Sequence, residues 1–363
     1  MSIRTLQRAA VAGLAFACAS TLCTAAETSN RSFIDPLDAP ATLAAVPARA
    51  PMTAVAHAAS RLVAVGQRGV IVMSDDHGRT WKQVPSPVQS DLTAVTFVGA
   101  SQGWAVGHDG VILHTSDGGE TWVKQLDGRE ANPRFVAHYQ AAVAAGDASA
   151  KPLLEQEERN AKAGASLPYL DVWFENAQHG YAVGSFGIVA VTTDGGKTWL
   201  PGLANVDNPD FLNLNAIRRI GDNVFIAGER GTVFRLDRAS GRFMRLNSGY
   251  AGSFFGIAGN DARLYAFGLR GTIYESVDHG DTWRQVQSAT DSSLNDAIAL
   301  ADGRVVICGS RALLLVADPV SGELHRVSAD TPMMFTGITT DGSDHVAVSG
   351  SGGVMIESIV ARH

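Results

Sequence analysis

Cysteine is nearly missing from this chain, with 3 in 363 residues. Two of them, Cys18 and Cys23, fall in the first 26 residues, where Arg4 and Arg8 precede an apolar run and Thr24 and Ala26 are small. That layout is expected of an export signal cleaved near Ala26, with Glu27 as the mature start and residues 27–363 as the exported domain. Only Cys308 then remains, so no internal disulfide can form; a periplasmic or other exported location is allowed, and its oxidising chemistry goes unused. Past the leader no apolar run approaches a membrane-spanning length, so stable membrane insertion is not expected. Basic blocks are missing too. The formal charge is −7, and it becomes −9 once Arg4 and Arg8 are removed, which argues against nucleic acid as a partner. The ten histidines are scattered without an HExxH or a Cys/His cluster, so neither a metal nor a cofactor is implied. No GxSxG elbow occurs, and the glycines at 350–353 lie between strands rather than ahead of a helix, which excludes a phosphate loop.

What the chain does have is a repeat. The phrases SDDHGRTW (74–81), TSDGGETW (115–122), TTDGGKTW (192–199) and SVDHGDTW (276–283) share the spacing Ser/Thr-x-Asp-x-Gly-x-Thr-Trp. A second marker is Gly66, Gly107, Gly184, Gly228, Gly268, Gly309 and Gly350, each after a short apolar run and spaced by 41, 77, 44, 40, 41 and 41. The 77 is one period plus an insert of about 36 residues, which gives seven units. Two units lack the tryptophan phrase and keep the remnants Asp237…Phe243 and Asp318…Leu324. Each unit reads as four short strands without helical periodicity, as Leu92–Val98, Trp104–Val106, Val111–Thr115 and Trp122–Leu126 show. Units of about 40 residues in four strands are propeller blades, so the expected fold is an all-β, seven-bladed β-propeller.

The tryptophan phrases have a structural job. Asp76, Asp117, Asp194 and Asp278 are expected to bond backbone N–H groups in a tight turn, while Trp81, Trp122, Trp199 and Trp283 cover gaps between blades. The innermost strands share a small-residue column, read as Ala54, Ala94, Val172, Ala216, Gly256, Ala297 and Gly337. Seven strands crowded on one axis need such residues. The last unit has only three strands before the chain ends, so the segment Arg31–Val46 is expected to add the outer strand of blade seven and close the ring.

Propeller geometry puts the loops between second and third strands on one face, with the connections between blades. Those loops read GQRG, GHDG, GSFG, GERG, GLRG, GSRA and GSGG. Arg68, Arg230, Arg270 and Arg311 therefore share one repeat position, in blades one, four, five and six. Each alone reads as a solvated turn residue; together they suggest a binding patch for carboxylates, phosphates or an acidic protein surface. The insert, 127–167, should emerge on the same face. Phe135, Tyr139 and Val143 have helical spacing, and Leu153–Lys162 is helix-prone after a break at Pro152.

The phrases are the Asp-box, or BNR, repeat shared by sialidases and many non-enzymatic propellers. The fuller pattern in Tyr181–Trp199, with AVG-x-x-G before TTDGGKTW, resembles the photosystem II stability/assembly factor-like family. The resemblance runs over about residues 50–360, interrupted by the insert. It implies a non-catalytic assembly factor with an arginine patch, which Arg68, Arg230, Arg270 and Arg311 could match. Asp109, Phe186 and Gly352 at the equivalent positions depart from a uniform patch. The expected function is an exported scaffold, monomeric, that helps assemble or stabilise a membrane or envelope protein complex. Two alternatives stay open. A sialidase-like glycoside hydrolase would need three arginines, a Tyr/Glu pair and an acid Asp; the Arg-Ile-Pro signature is missing, and Tyr265 and Glu229 have no evident pairing. A glycan- or small-anion-binding propeller is the other.

Overall fold

Strands A to D of each blade are set by the turn chemistry around them. In a computed structural model, which describes residues 33–340 and 344–360, every unit of the repeat folds into its own antiparallel sheet. Blade one holds β1 (Met52–Ala58), β2 (Arg61–Gly66), β3 (Ile71–Ser74) and β4 (Lys82–Val84); blade two holds β5 (Leu92–Val98), β6 (Gln102–Gly107), β7 (Ile112–Thr115) and β8 (Val123–Leu126). Blade three is β9 (Tyr169–Phe174), β10 (Gly180–Gly184), β11 (Val189–Thr192) and β12 (Leu200–Pro201). Blade four is β13 (Leu214–Ile220), β14 (Asn223–Gly228), β15 (Thr232–Asp237) and β16 (Arg242–Asn247). Blade five is β17 (Phe254–Asn260), β18 (Arg263–Gly268), β19 (Ile273–Ser276) and β20 (Arg284–Val286). Blade six is β21 (Leu294–Ala299), β22 (Val305–Gly309), β23 (Leu313–Ala317) and β24 (Leu324–Ser328). Blade seven has β25 (Phe335–Thr340), β26 (His345–Gly350) and β27 (Gly353–Ser358). The fold is a seven-bladed β-propeller, and contacts divide the chain so that the propeller lies within Asp35–His363. The proposed leader, residues 1–26, lies outside the described residues.

The four tryptophan phrases repeat one hydrogen-bond pattern, except that in blade three Trp199 Nε1 donates to Gln125 Oε1 at 3.3 Å instead of to a glycine carbonyl. In blade two, Thr115 Oγ1 donates to Asp117 Oδ1 at 2.7 Å, and the N–H and hydroxyl of Thr121 donate to the same carboxylate at 3.0 and 2.6 Å. The Gly119 N–H returns to Thr115 Oγ1 at 2.9 Å, and Trp122 Nε1 donates to the Gly119 carbonyl at 3.0 Å. Burial works against the Asp117 charge, yet the Thr121 and Thr115 bonds prevail and hold its carboxyl at about 2. Hydrogen bonds from Thr282 and Ser276 hold Asp278 at about 2. The tryptophans are not equally enclosed: Trp122 and Trp199 are buried, whereas Trp81 and Trp283 are half-buried. In blade four Phe243, fully buried, stands where the tryptophan would be.

Around the axis, strands A sit so close that a Cβ on Gly337 would lie 2.9 Å from Ala54 Cα. The small column holds in five blades and fails in two. A bulge near the start of each strand A sets the register: Ala94 pairs with Val106, and by the same count Asp171 pairs with Val183 and Asp296 with Cys308. Asp171 and Asp296, not Val172 and Ala297, therefore occupy the column. A neighbouring strand position stitches blade to blade. Thr53 donates to the Leu92 carbonyl, Thr93 to Tyr169 at 2.7 Å, Asn215 to Phe254 at 2.7 Å, Asn295 to Phe335 at 2.6 Å and Thr336 to Met52 at 3.0 Å. The last of these joins blade seven to blade one, where Met52, Val55 and Leu62 also pack with Ala347 and Val354.

Blade seven thus packs side by side against blade one, and the expected closing strand does not form among the described residues of 31–46, with Arg31 and Ser32 lying outside them. Among the described residues blade seven keeps three strands, and Asp35–Val46 forms none. Leu37 is buried among Val84, Val88 and Trp122 of blades one and two. Asp38 meets Arg129 at 2.7 Å and Lys124 at 3.6 Å, which anchors the segment beside blade two. Pro36, Pro40 and Pro47 lack the N–H a ladder would need.

Candidate functional site

In blades one to six the B–C loop is a three-residue turn whose middle residue is forced into the left-handed region, whereas blade seven turns through Ser351 and Gly352 alone. Arg68, Arg230, Arg270 and Arg311 have φ of 55°, 51°, 55° and 61°, as do Asp109 (59°) and Phe186 (52°). The turn is held from both sides. The N–H of Gln67 donates to the Pro51 carbonyl at 3.2 Å, and that of Arg68 to Asp91 Oδ1 of the next blade at 2.7 Å. Phe186 repeats the second bond with Asn213 Oδ1 at 2.6 Å. The following Gly69 has φ 70°, and a Cβ there would collide with the Val88 carbonyl, so the connection between blades fixes this glycine.

All four arginines are exposed, at equivalent places on one face. None is drawn into the core, and their surroundings are mixed in sign. Arg311 pairs with Asp291 at 3.1 Å, both well exposed, an interaction of about 0–1 kcal/mol. Asp91 lies beside Arg68, and Glu229, next to Arg230, accepts from the Asn213 N–H at 2.9 Å. The arc is thus less uniformly positive than its arginines alone suggest.

The insert is helical and lies on this face. Asp127 caps α1 (Gly128–Ala144) by accepting from the N–H groups of Arg129 and Glu130. α2 (Ala150–Lys162) starts earlier than expected: Pro152 sits in its first turn, where it costs no helical bond, and the break falls at 145–149, with Gly146 at φ 91°. The hairpin packs on the loops of blades two and three. The Gly110 N–H donates to Leu167 O at 3.0 Å, and Gln156 Nε2 donates to Phe186 O at 3.4 Å. Those are the two loops bearing Asp109 and Phe186 in place of arginine. Beneath the hairpin, Glu157 is 4% exposed, and burial pushes its carboxyl up to about 7.

Sequence reasoning missed a second cluster, in the central channel, a cavity of about 280 Å³. Arg218 pairs with Asp171 and, at 3.3 Å, with Asp296. Asp171 also accepts the Ile217 N–H at 2.7 Å, and Asp296 accepts the Ile338 N–H at 3.2 Å. Burial raises the Asp171 carboxyl above its ordinary value, against the pull of Arg218 and the backbone donors. Every carboxylate oxygen here is engaged, so the cluster reads as a clamp between blades. The sequence signal was present, an acidic residue at a position otherwise Ala or Gly, but an off-by-one alignment hid it. Tyr265 and Glu229 are not brought together as a catalytic pair: Tyr265 is 1% exposed in the core between blades five and six.

A family model described as "Photosynthesis system II assembly factor YCF48" matches residues 49–140 and 156–313. The chain belongs to this family. The unmatched stretch, 141–155, is the tip of the helical hairpin, so most of both helices falls within the matched ranges rather than interrupting them. No curated protein matches the chain. Among solved structures, "YCF48 bound to D1 peptide" is 17% identical with a TM-score of 0.62, covering 87% of this chain and 95% of that one. YCF48 from Cyanidioschyzon merolae is 16% identical with a TM-score of 0.63, covering 86% and 97%. The WD40 propeller of Doa1, at 13% identity and 0.59, covers 89% and 96%. At these identities the likeness shows the fold. The YCF48-family membership supports a partner-binding scaffold as the general role.

Proposed function

We propose that this protein is an exported, non-enzymatic scaffold that helps assemble or stabilise a membrane or envelope protein complex, docking through Arg68, Arg230, Arg270 and Arg311. One observation carries the reading. A left-handed conformation costs a residue with a Cβ roughly 1–2 kcal/mol relative to glycine, and four exposed arginines bear it at one repeat position. Among the described residues the exposed Arg311–Asp291 pair is the one side-chain ion pair these arginines make, which favours a role in binding. The guanidinium fork suits carboxylates on an acidic partner and would add specificity and association rate more than affinity. Family membership supports a protein partner, and a relative's structure is described as bound to a D1 peptide. The helical hairpin, on the loops of blades two and three, would limit the docking arc to blades four, five, six and one.

The test is crosslinking in intact cells followed by pull-down, comparing the native protein with a variant carrying glutamate at all four positions. Loss of specific partners in the variant, with unchanged melting, is expected. Equal recovery of the same partners by both proteins defeats the reading.

A further inference from the structure

Six blades have a fourth, outermost strand, and blade seven does not among the described residues. β27 pairs with β26 from Gly353 to Ser358, and no other described residue makes a backbone hydrogen bond to it. Every second residue of such an edge turns its N–H and C=O groups outward. At one end the edge is blocked, because the Ala48 carbonyl and Arg49 Cα lie against Gly353. From Val354 to Ser358 no described residue pairs with it. The stretch Val-Met-Ile-Glu-Ser contains neither the lysine nor the proline that guards many natural edges. Ile356 is 38% exposed and borders a cavity of about 130 Å³ shared with Leu62 and Ala347.

Direction follows from topology. β27 starts at the turn on the arginine face and runs away from it. A strand added antiparallel would run back and end at that face, as the fourth strands of the other blades do. There it would meet Arg49, which is exposed, and the loops of the two flanking blades, which carry Arg311 and Arg68.

We infer that the outer edge of β27 is a docking site for an extended segment of a partner protein, which pairs with Val354–Ser358 as the missing fourth strand and carries an acidic or free-carboxylate C-terminal end. Backbone hydrogen bonds supply the pairing, and the guanidinium groups at the exit select the end. An apolar side chain near the start of the segment would settle beside Ile356. The inference rests on the docking reading above only for the part played by Arg68 and Arg311; the strand pairing stands on its own.

The test uses the mature full-length protein and a fluorescent peptide of about ten residues, alternating valine and threonine and ending in two aspartates with a free carboxylate. Hydrogen exchange on the protein alone should show fast amides at alternate positions of β27, and the peptide should slow them. N-methylation of the peptide residues that face the edge should weaken binding about tenfold, the effect of one lost hydrogen bond, while methylation of the intervening residues should not. An Arg68→Glu, Arg311→Glu double variant should bind more weakly and with less salt dependence. β27 amides already protected in the protein alone would assign the edge to this chain's own residues and overturn the inference. Protection that grows with protein concentration would assign it to a second copy, with the same consequence. If methylation has no effect while the arginine variant fails to bind, the strand pairing falls and the arginine face survives. If methylation matters and the arginines do not, the edge stands and the arginine reading falls. No binding at all overturns the inference.

Discussion

Replacing Arg218 by methionine removes the guanidinium that joins Asp171 to Asp296 in the central channel. Asp171 is 4% exposed, so its charge would stay buried without a counter-charge. Removing one member of a buried ion pair costs about 3–5 kcal/mol. The lower end applies, because the Arg218 side chain is 35% exposed to the channel and Asp171 keeps the Ile217 and Val172 N–H groups. For a propeller of this length the unfolding entropy is roughly 0.7 kcal/mol/K, so about 3 kcal/mol lowers the melting temperature by about 4 °C. The sign with pH follows from the raised Asp171 pKa. The neutral form suits the fold better, so the penalty is present above the carboxyl range and vanishes once both states are protonated. The deficit of the variant should thus be larger at pH 8 than at pH 4, as read by calorimetry or circular dichroism. Adding Asp171→Asn and Asp296→Asn to Arg218→Met should restore much of the loss, since the amides keep a hydrogen bond and carry no charge. A single variant that melts within about 1 °C of the native protein at pH 8, or no recovery in the triple variant, would refute the clamp.

Four further outcomes are expected. Trp199→Ala should cost about 3–5 kcal/mol in denaturant unfolding because Trp199 is 1% exposed, and Trp81→Ala roughly half of that because Trp81 is half-buried. The Asp117 and Asp278 carboxyls, held at about 2, contribute stability that is complete above the unfolded value of about 3.9 and lost as pH falls through 2; acid unfolding followed by fluorescence should show that window. Glu157, raised to about 7, should do the reverse. Stability falls as pH rises from 4.5 through 7, and Glu157→Gln should gain up to about 3 kcal/mol at pH 8 and nothing at pH 4. Arg230→Gly should leave melting unchanged or raise it by about 1 kcal/mol equivalent, since glycine accepts φ 51° freely; a marked loss would show that Arg230 stabilises the loop and would weaken its assignment to docking.

Residue identity at fixed spacing was enough to fix the blade count, the strand order within a blade and the Asp-box bonds. Each of these depends on neighbours within one period, so the chain carries the information locally: Asp117 finds Thr115 and Thr121 wherever the blade goes. The same holds for the exposed arginine position and for the helical hairpin. Three matters were decided only in three dimensions. The A–B turns of blades three and six are one residue longer than those of blades one, four and five, which moved the axial column by one place, and Asp171 meets Arg218, 47 residues away, only across neighbouring blades. The segment near Asp38 went to Arg129 and Lys124 rather than to blade seven, because ion pairs and a buried Leu37 outweighed an edge that its prolines serve poorly. Among the described residues, the outer edge of β27 is left unpaired by that choice. Short-range turn chemistry is written in the order of residues; competition between distant surfaces for one segment is settled by which contacts the closed ring makes available.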